Sequence, residues 1–286
     1  MEANYGANQL QHFLENEHPS NVREVGESMG RLRPLLQPAG FKGVEDFLGT
    51  YHTVTINIAD KLNLSLTDGI RVFREEEVLN AATPIFYSLF TENLLETKQH
   101  WSWIRDERTQ QIDRATQGAL GYASHIGGDL GLTVHSIRTS DRFSERQIRN
   151  YLRYDYAPKI DLTLWKTAHQ MAPVLTNIEN KKIEKALTNI FMLGVISGRQ
   201  IALIDAKRMA NAKSFDHQEA IAESARIRTA KLTEIILSRS LELNQWAAYE
   251  AGRQIETRPS VIDLDLRKNT SHRIAKFIGT SLRRAA

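Results

Sequence analysis

The sequence predicts an all-α protein, a single-domain multi-helix bundle. Three observations carry that expectation. Apolar residues recur at steps of three and four along most of the chain, the period of a helix with one buried face. Period-two alternation of the kind a half-buried strand shows is absent at useful length. Hairpin dipeptides between β-branched runs are missing as well, because the one Asp68-Gly69 lies between helical patterns.

Taken in order, residues 1–40 read as a polar N-terminal segment, partly loose, and residues 41–286 as the helical domain. Pro34 and Pro38, with Gly40 and Gly43, break any early helix. Val44, Phe47, Leu48, Tyr51, Val54, Ile58 and Leu62 then form one amphipathic stripe. Val78, Leu79, Ala82, Ile85, Phe86, Leu89 and Phe90 form a second, and a third starts near Trp101 and runs through Ile112, Ala115, Ala119 and Tyr122. Phe143 to Tyr154 reads as a charged surface segment stopped by Pro158.

Residues 181–212 hold Ile183, Leu187, Ile190, Phe191 and Ile201 in a long apolar run around Gly194 and Gly198. Asp216 followed by Glu219 reads as a capping box. It opens a helix through Ile227, Ile235, Leu241 and Trp246 to the neighbourhood of Arg258, where Pro259 ends it. Ser271–Ala286 reads as a short basic amphipathic tail.

Composition narrows the function classes. Hydrophobic residues make up 41% of 286 and charged residues 25%, which excludes a disordered or fibrous chain. A net charge of +3 gives no ground for nucleic-acid binding. With no cysteine, disulfide frameworks, Cys-ligated zinc, iron–sulfur clusters and thiol catalysis are all excluded. No basic-then-apolar leader opens the sequence, and no uninterrupted run reaches the roughly 18 apolar residues of a spanning helix. The expectation is a soluble cytoplasmic protein with a small-molecule substrate, no transmembrane segment and an open oligomeric state. A Gly-Lys-Ser/Thr phosphate loop, an H-E-x-x-H zinc motif and the two Glu-x-x-His pairs of a di-iron bundle are absent.

The informative segment is Gly118–Ser136, which holds five of the sixteen glycines: Gly118, Gly121, Gly127, Gly128 and Gly131. Glycine costs about 1 kcal/mol relative to alanine inside a helix, so this density implies close helix approach or cleared room beside a site. Within it stand His125, Asp129 and His135. On a helix, positions i and i+4 lie about 40° apart and i+10 about 80° round on the other side, so the three side chains can converge. Imidazole nitrogen and carboxylate oxygen are normal ligands for a divalent metal, zinc first, and a carboxylate can bridge two ions. The other reading of the same residues is a hydrogen-bonded His–Asp pair that satisfies two buried polar groups.

His52, at the margin of the first stripe, is the best further ligand, with hydrogen-bonded core as its alternative. His169 is similar. Asp155 and Asp161 read as helix caps, and Asp205, inside an apolar run, as an acid paired with Arg199 or Arg208. His12, His18, His100, His217 and His272 read as exposed and ordinary.

The run from Tyr51-His-Thr-Val-Thr55, through Ile85-Phe-Tyr87 and Trp101, to Ala123-Ser-His-Ile-Gly-Gly-Asp-Leu130 resembles a bacterial domain-of-unknown-function family. That family centres on an Ala-x-His-Ile-x-x-Asp-Leu helix motif, and the likeness, over the middle third of the chain, implies no activity. More distantly, His125-x3-Asp129-x5-His135 is similar in spacing to the all-helical zinc-dependent phospholipase C and single-strand nuclease superfamily. That resemblance implies His125 and His135 as ligands of different zinc ions, Asp129 as the bridge, and hydrolysis of a phosphoester by metal-bound hydroxide. The second His-x3-Asp of those enzymes is missing here, since His169 is followed at the fourth position by Pro173 and His217 by Ile221. A reduced mono- or dinuclear site is what the resemblance leaves.

Three functions therefore stand as expectations. The first is a metal-dependent phosphoester hydrolase with His125 and Asp129 at its catalytic centre and His125, Asp129, His135 and His52 as ligands. The second is a non-hydrolytic cyclase or lyase in which His125 and Asp129 are an acid–base pair in a helical pocket. The third is a helical binding protein without catalysis.

Overall fold

The computed structural model describes residues 2–41, 43–175 and 181–256, and these are helical nearly throughout, with no strand among them. The α-helices are α1 Glu2–Asn16, α2 Val22–Leu36, α3 Val44–Asp68, α4 Glu76–Leu95 and α5 Arg114–Ser124. They continue as α6 Leu130–Thr139, α7 Glu145–Asn150, α8 Asp161–Leu175, α9 Lys181–Ala210 and α10 Phe215–Glu256. Two 3-10 turns, Gln99–Arg105 and Glu107–Gln111, follow α4, and π-helical stretches at His125–Asp129 and Tyr151–Ile160 join α5 to α6 and α7 to α8. The helix end near Arg258, the basic tail Ser271–Ala286 and His272 lie outside the described residues.

The first forty residues are more ordered than their composition suggests. Helix α2 starts on an Asn21 cap whose side chain accepts the Glu24 N–H at 3.0 Å, and Val22, Val25, Met29, Leu32 and Leu36 are wholly buried. This 3-4-3-4 stripe is masked in the sequence by Gly26, Gly30 and Pro34. Pro34 falls in the last turn of α2, where the helix has only two residues left to lose. The break comes after it, at Gly40, whose φ of +86° turns the chain so that Phe41 N–H reaches Leu36 O at 2.9 Å.

Three further boundaries differ from the sequence reading. The stripe from Trp101 is not one helix. Two 3-10 turns carry its first half, and α5 starts only at an Asp113 side chain that accepts the Thr116 N–H at 2.9 Å. Pro158 does not stop a surface segment but sits inside the π-helical stretch, where the altered register absorbs its missing N–H. Tyr151, Asp155, Tyr156 and Ile160 are buried there. Helix α10 is capped by Ser214, whose Oγ accepts the His217 N–H at 3.3 Å, leaving Asp216 in the first turn.

The core is aromatic at its centre. The Phe47 ring lies within 6 Å of Tyr51, Phe90, Trp101, Tyr122 and His125, with Trp101, Phe90 and Phe47 fully buried. Helix α9 is long and apolar enough over Glu184–Ala210 to cross a membrane by length and composition, with a mean hydropathy of 1.5 and 28% of that window buried. It also packs against α6, α8 and α10.

The glycines of α5 serve different ends. A β-carbon on Gly121 would stand 2.4 Å from Phe47, whereas one on Gly118 would meet nothing within 4 Å. Gly121→Ala should therefore lower stability by about 1–3 kcal/mol through overpacking. Gly118→Ala should raise it by up to about 1 kcal/mol. Urea unfolding of the two variants beside wild type checks both signs.

Candidate functional site

A single π-helical turn builds the centre of the molecule. It spans His125–Asp129, and its signature is the Leu130 N–H bonded to His125 O, five residues back. Inside the turn, His125 Nδ1 lies 3.0 Å from Asp129 Oδ2. The other carboxylate oxygen, Oδ1, takes Asn93 Nδ2 of α4 at 2.7 Å and His100 Nε2 of the first 3-10 turn at 3.0 Å. Asp129 and His100 are wholly buried and His125 is 2% exposed.

The scaffold around them is fitted to this convergence. A β-carbon on Gly128 would fall 2.1 Å from the His100 ring, so glycine is required for that ring to reach the carboxylate. Gly127 makes room in the same way for Thr229 of α10. The carbonyl of His100 accepts from the Ser124 hydroxyl at 2.5 Å, and Ser124 Oγ in turn accepts from Trp103 Nε1 at 2.8 Å. The end of α5 is thereby pinned to the turn that carries His100.

Charge states follow from the geometry. Burial opposes ionisation of Asp129, but hydrogen bonds from His100 and His125 outweigh it and hold the carboxyl below its ordinary range. An ionised carboxylate only accepts, so His125 must carry its proton on Nδ1 and His100 on Nε2. Burial holds the His125 imidazole below its ordinary pKa, against the pull of Asp129, so at neutral pH it is uncharged. Its Nε2 is then a bare lone pair, buried and without a hydrogen-bond partner.

That nitrogen sits among aromatic rings. Phe86 of α4 lies parallel on His125, with centroids 3.6 Å apart and an interplanar angle of 12°. Tyr51 is 4.7 Å away centroid to centroid, and Phe90 and Phe47 meet the imidazole edge to face at 5.3 and 5.5 Å. The Tyr51 hydroxyl is also buried without a partner, and burial pushes its pKa well above the ordinary value, so it stays a donor.

Of the expected residues, the structure brings together His125 and Asp129 and leaves His135 and His52 apart from them. The π turn supplies the reason for His135. It takes up one extra residue without advancing the helix, so His135 stands as if at i+9, about 180° from His125 rather than on its flank. It is half-buried, with Arg138 as its charged neighbour. His52 faces α2, its Nε2 3.5 Å from where a β-carbon on Gly30 would be, beside Arg33. Among the described residues no group of three His, Asp or Glu side chains is arranged to hold a metal ion. Around Asp129 the carboxylate accepts from three N–H donors, which leaves His125 Nε2 and His100 Nδ1 as the ring nitrogens without hydrogen-bond partners.

Asp155, Asp161, Asp205 and His169 each have a partner within the fold. Asp155 accepts the Arg74 and Glu75 N–H groups at 2.7–2.9 Å and binds Lys159. Asp161 binds buried Arg199 at 2.6 Å, so Asp205 pairs instead with Arg228 and, at 3.6 Å, with Arg208. His169 bonds Asn189 at 2.9 Å. Gly26-Glu-Ser28-Met-Gly30 has the letters of a hydrolase nucleophile elbow but lies mid-helix in α2, with Ser28 bonded to the Tyr87 hydroxyl at 2.9 Å.

Two residues of the centre escape sequence reasoning. His100 reads as exposed and is in fact wholly buried, and Asn93 belongs to no motif. The one signal was indirect: the paired Gly127-Gly128 demands that something approach.

Comparison with known proteins gives a family and adds no activity. A model of a family described as a family of unknown function (DUF5995) matches residues 22–239, and the chain belongs to that family. No curated protein and no solved structure matches it.

Two outcomes test the charge assignment. Asp129→Ala strands three buried N–H donors and should cost at least about 3 kcal/mol by urea unfolding, at about 1–3 each. Stability should also depend on pH. His125, His52 and His135 all take protons less readily folded than unfolded, so stability is full above about pH 6.5 and falls as the pH drops below it. His125→Asn should make that fall shallower, and an unchanged slope would contradict a neutral buried imidazole.

Proposed function

For this member of a family of unknown function, we propose an acid–base enzyme of the lyase or cyclase type that works without a metal on a small apolar molecule. One observation carries the reading: a neutral imidazole, oriented through Nδ1 by a buried carboxylate, whose Nε2 lone pair has no partner. Structural His–Asp pairs satisfy both ring nitrogens where they can. An unsatisfied basic nitrogen in an apolar surrounding is the arrangement a general base needs.

The chemistry follows. Nε2 takes a proton from a carbon beside a carbonyl, and the C–H electron pair passes into the enolate. His125 becomes an imidazolium whose charge Asp129 offsets across the 3.0 Å Nδ1–Oδ2 bond. The Tyr51 hydroxyl is the nearby donor for the developing oxyanion. Where a leaving group stands on the β-carbon, the enolate expels it with the electron pair of the broken bond and the imidazolium gives it the proton, which is the lyase outcome; without one, the proton returns to carbon. Asn93 and His100 act as positioning residues, holding the carboxylate so that its second oxygen meets His125.

Proton exchange tests this directly. In D2O with a panel of small ketones, loss of the α-proton signal by NMR should be catalysed by wild type and slowed about 10²–10⁴-fold in His125→Asn, as for loss of a general base. Asp129→Asn should lie between the two. Equal exchange in wild type and folded His125→Asn would sink the reading.

A further inference from the structure

The parallel stack of Phe86 on His125 has the geometry of a bound planar ligand. Phe86 is the one ring of the cage that both covers the imidazole face and is partly open to solvent, whereas Phe47, Phe90 and Tyr51 are buried. It stands on α4 two residues after Pro84, which supplies no N–H to the helix and leaves that turn with one hydrogen bond fewer than its neighbours. Beneath it lie two buried polar atoms without partners, His125 Nε2 and the Tyr51 hydroxyl, on rings 4.7 Å apart. One is an acceptor and the other a donor. Closed, the site leaves both unsatisfied, which is costly in an apolar interior.

We propose that Phe86 is a displaceable plug and that the ligand it stands in for is an aryl ketone, with its ring stacked on His125 and its carbonyl oxygen accepting from the Tyr51 hydroxyl. Planarity matches the stack, the carbonyl answers the orphaned donor, and the carbon beside it offers its hydrogen to the orphaned acceptor. The inference rests on the acid–base reading for its last element only. The stack and the Tyr51 bond are binding features and stand without proton transfer.

The test is binding of acetophenone and of its saturated analogue cyclohexyl methyl ketone, followed by ligand-observed NMR and by calorimetry. Wild type should prefer acetophenone by about tenfold, a pair of stacking and packing contacts being of that order. Tyr51→Phe should weaken acetophenone about fivefold or more by removing one hydrogen bond, while remaining as stable as wild type because the lost hydroxyl had no partner. Phe86→Ala should tighten acetophenone, since no plug must leave, and keep the preference for the planar ketone. Equal affinity for the two ketones, or acetophenone affinity unchanged in stable Tyr51→Phe, would overturn the proposal. So would a wild type that binds neither ketone. Aryl selectivity without α-proton exchange would leave this inference standing and remove the acid–base reading. Exchange of aliphatic ketones without aryl selectivity would do the reverse.

Discussion

A carboxylate with no exposure to water lies at the middle of this protein, and the cost of burying it organises what surrounds it. Asp129 is wholly enclosed, and three N–H donors from three separate segments meet its two oxygens. An uncompensated charge in such a place would be prohibitive, so α4, the 3-10 turn after it and the π turn cannot shift independently. Local oddities of the sequence then have one explanation. Gly128 admits the His100 ring, and Ser124 ties the turn carrying His100 back to α5. The π register sets the histidine and the carboxylate of one turn side by side.

The same enclosure decides the chemistry available. With the carboxylate ionised, each histidine must present a proton to it, and the far nitrogen of each lies buried without a hydrogen-bond partner. In an apolar cage the interaction between His125 and Asp129 is stronger than it would be in water, and a charged imidazolium forms only when that carboxylate offsets it. The aromatic shell of Phe47, Tyr51, Phe86 and Phe90 therefore acts as more than filling: it sets the low polarity in which a neutral imidazole is a poised base.

The fold was legible in the sequence because helical periodicity survives local irregularity. The stripes on α3 and α4 coincide with buried positions such as Val44, Phe47, Leu48, Val78 and Leu79. Element joints were harder. Pro158 reads as a stop and the segment around residue 125 as regular helix, yet π-helical register runs through both, a local geometry that no residue type signals by itself. The pair His125 and Asp129 was readable from i, i+4 spacing. Convergence of His135 was not, because one extra residue in the turn rotates everything after it. His100 and Asn93 come from distant sequence and show in it only as the space two glycines leave open.

The measurement closest to the central claim is the protonation of His125 itself, read from nitrogen-15 NMR of the histidine-labelled protein at pH 7. A neutral ring with the proton on Nδ1 and a bare Nε2, changed by Asp129→Asn, is what a carboxylate-oriented base requires. An imidazolium, or a ring protonated on Nε2 alone, would contradict the account, because Nε2 would then have no lone pair to offer.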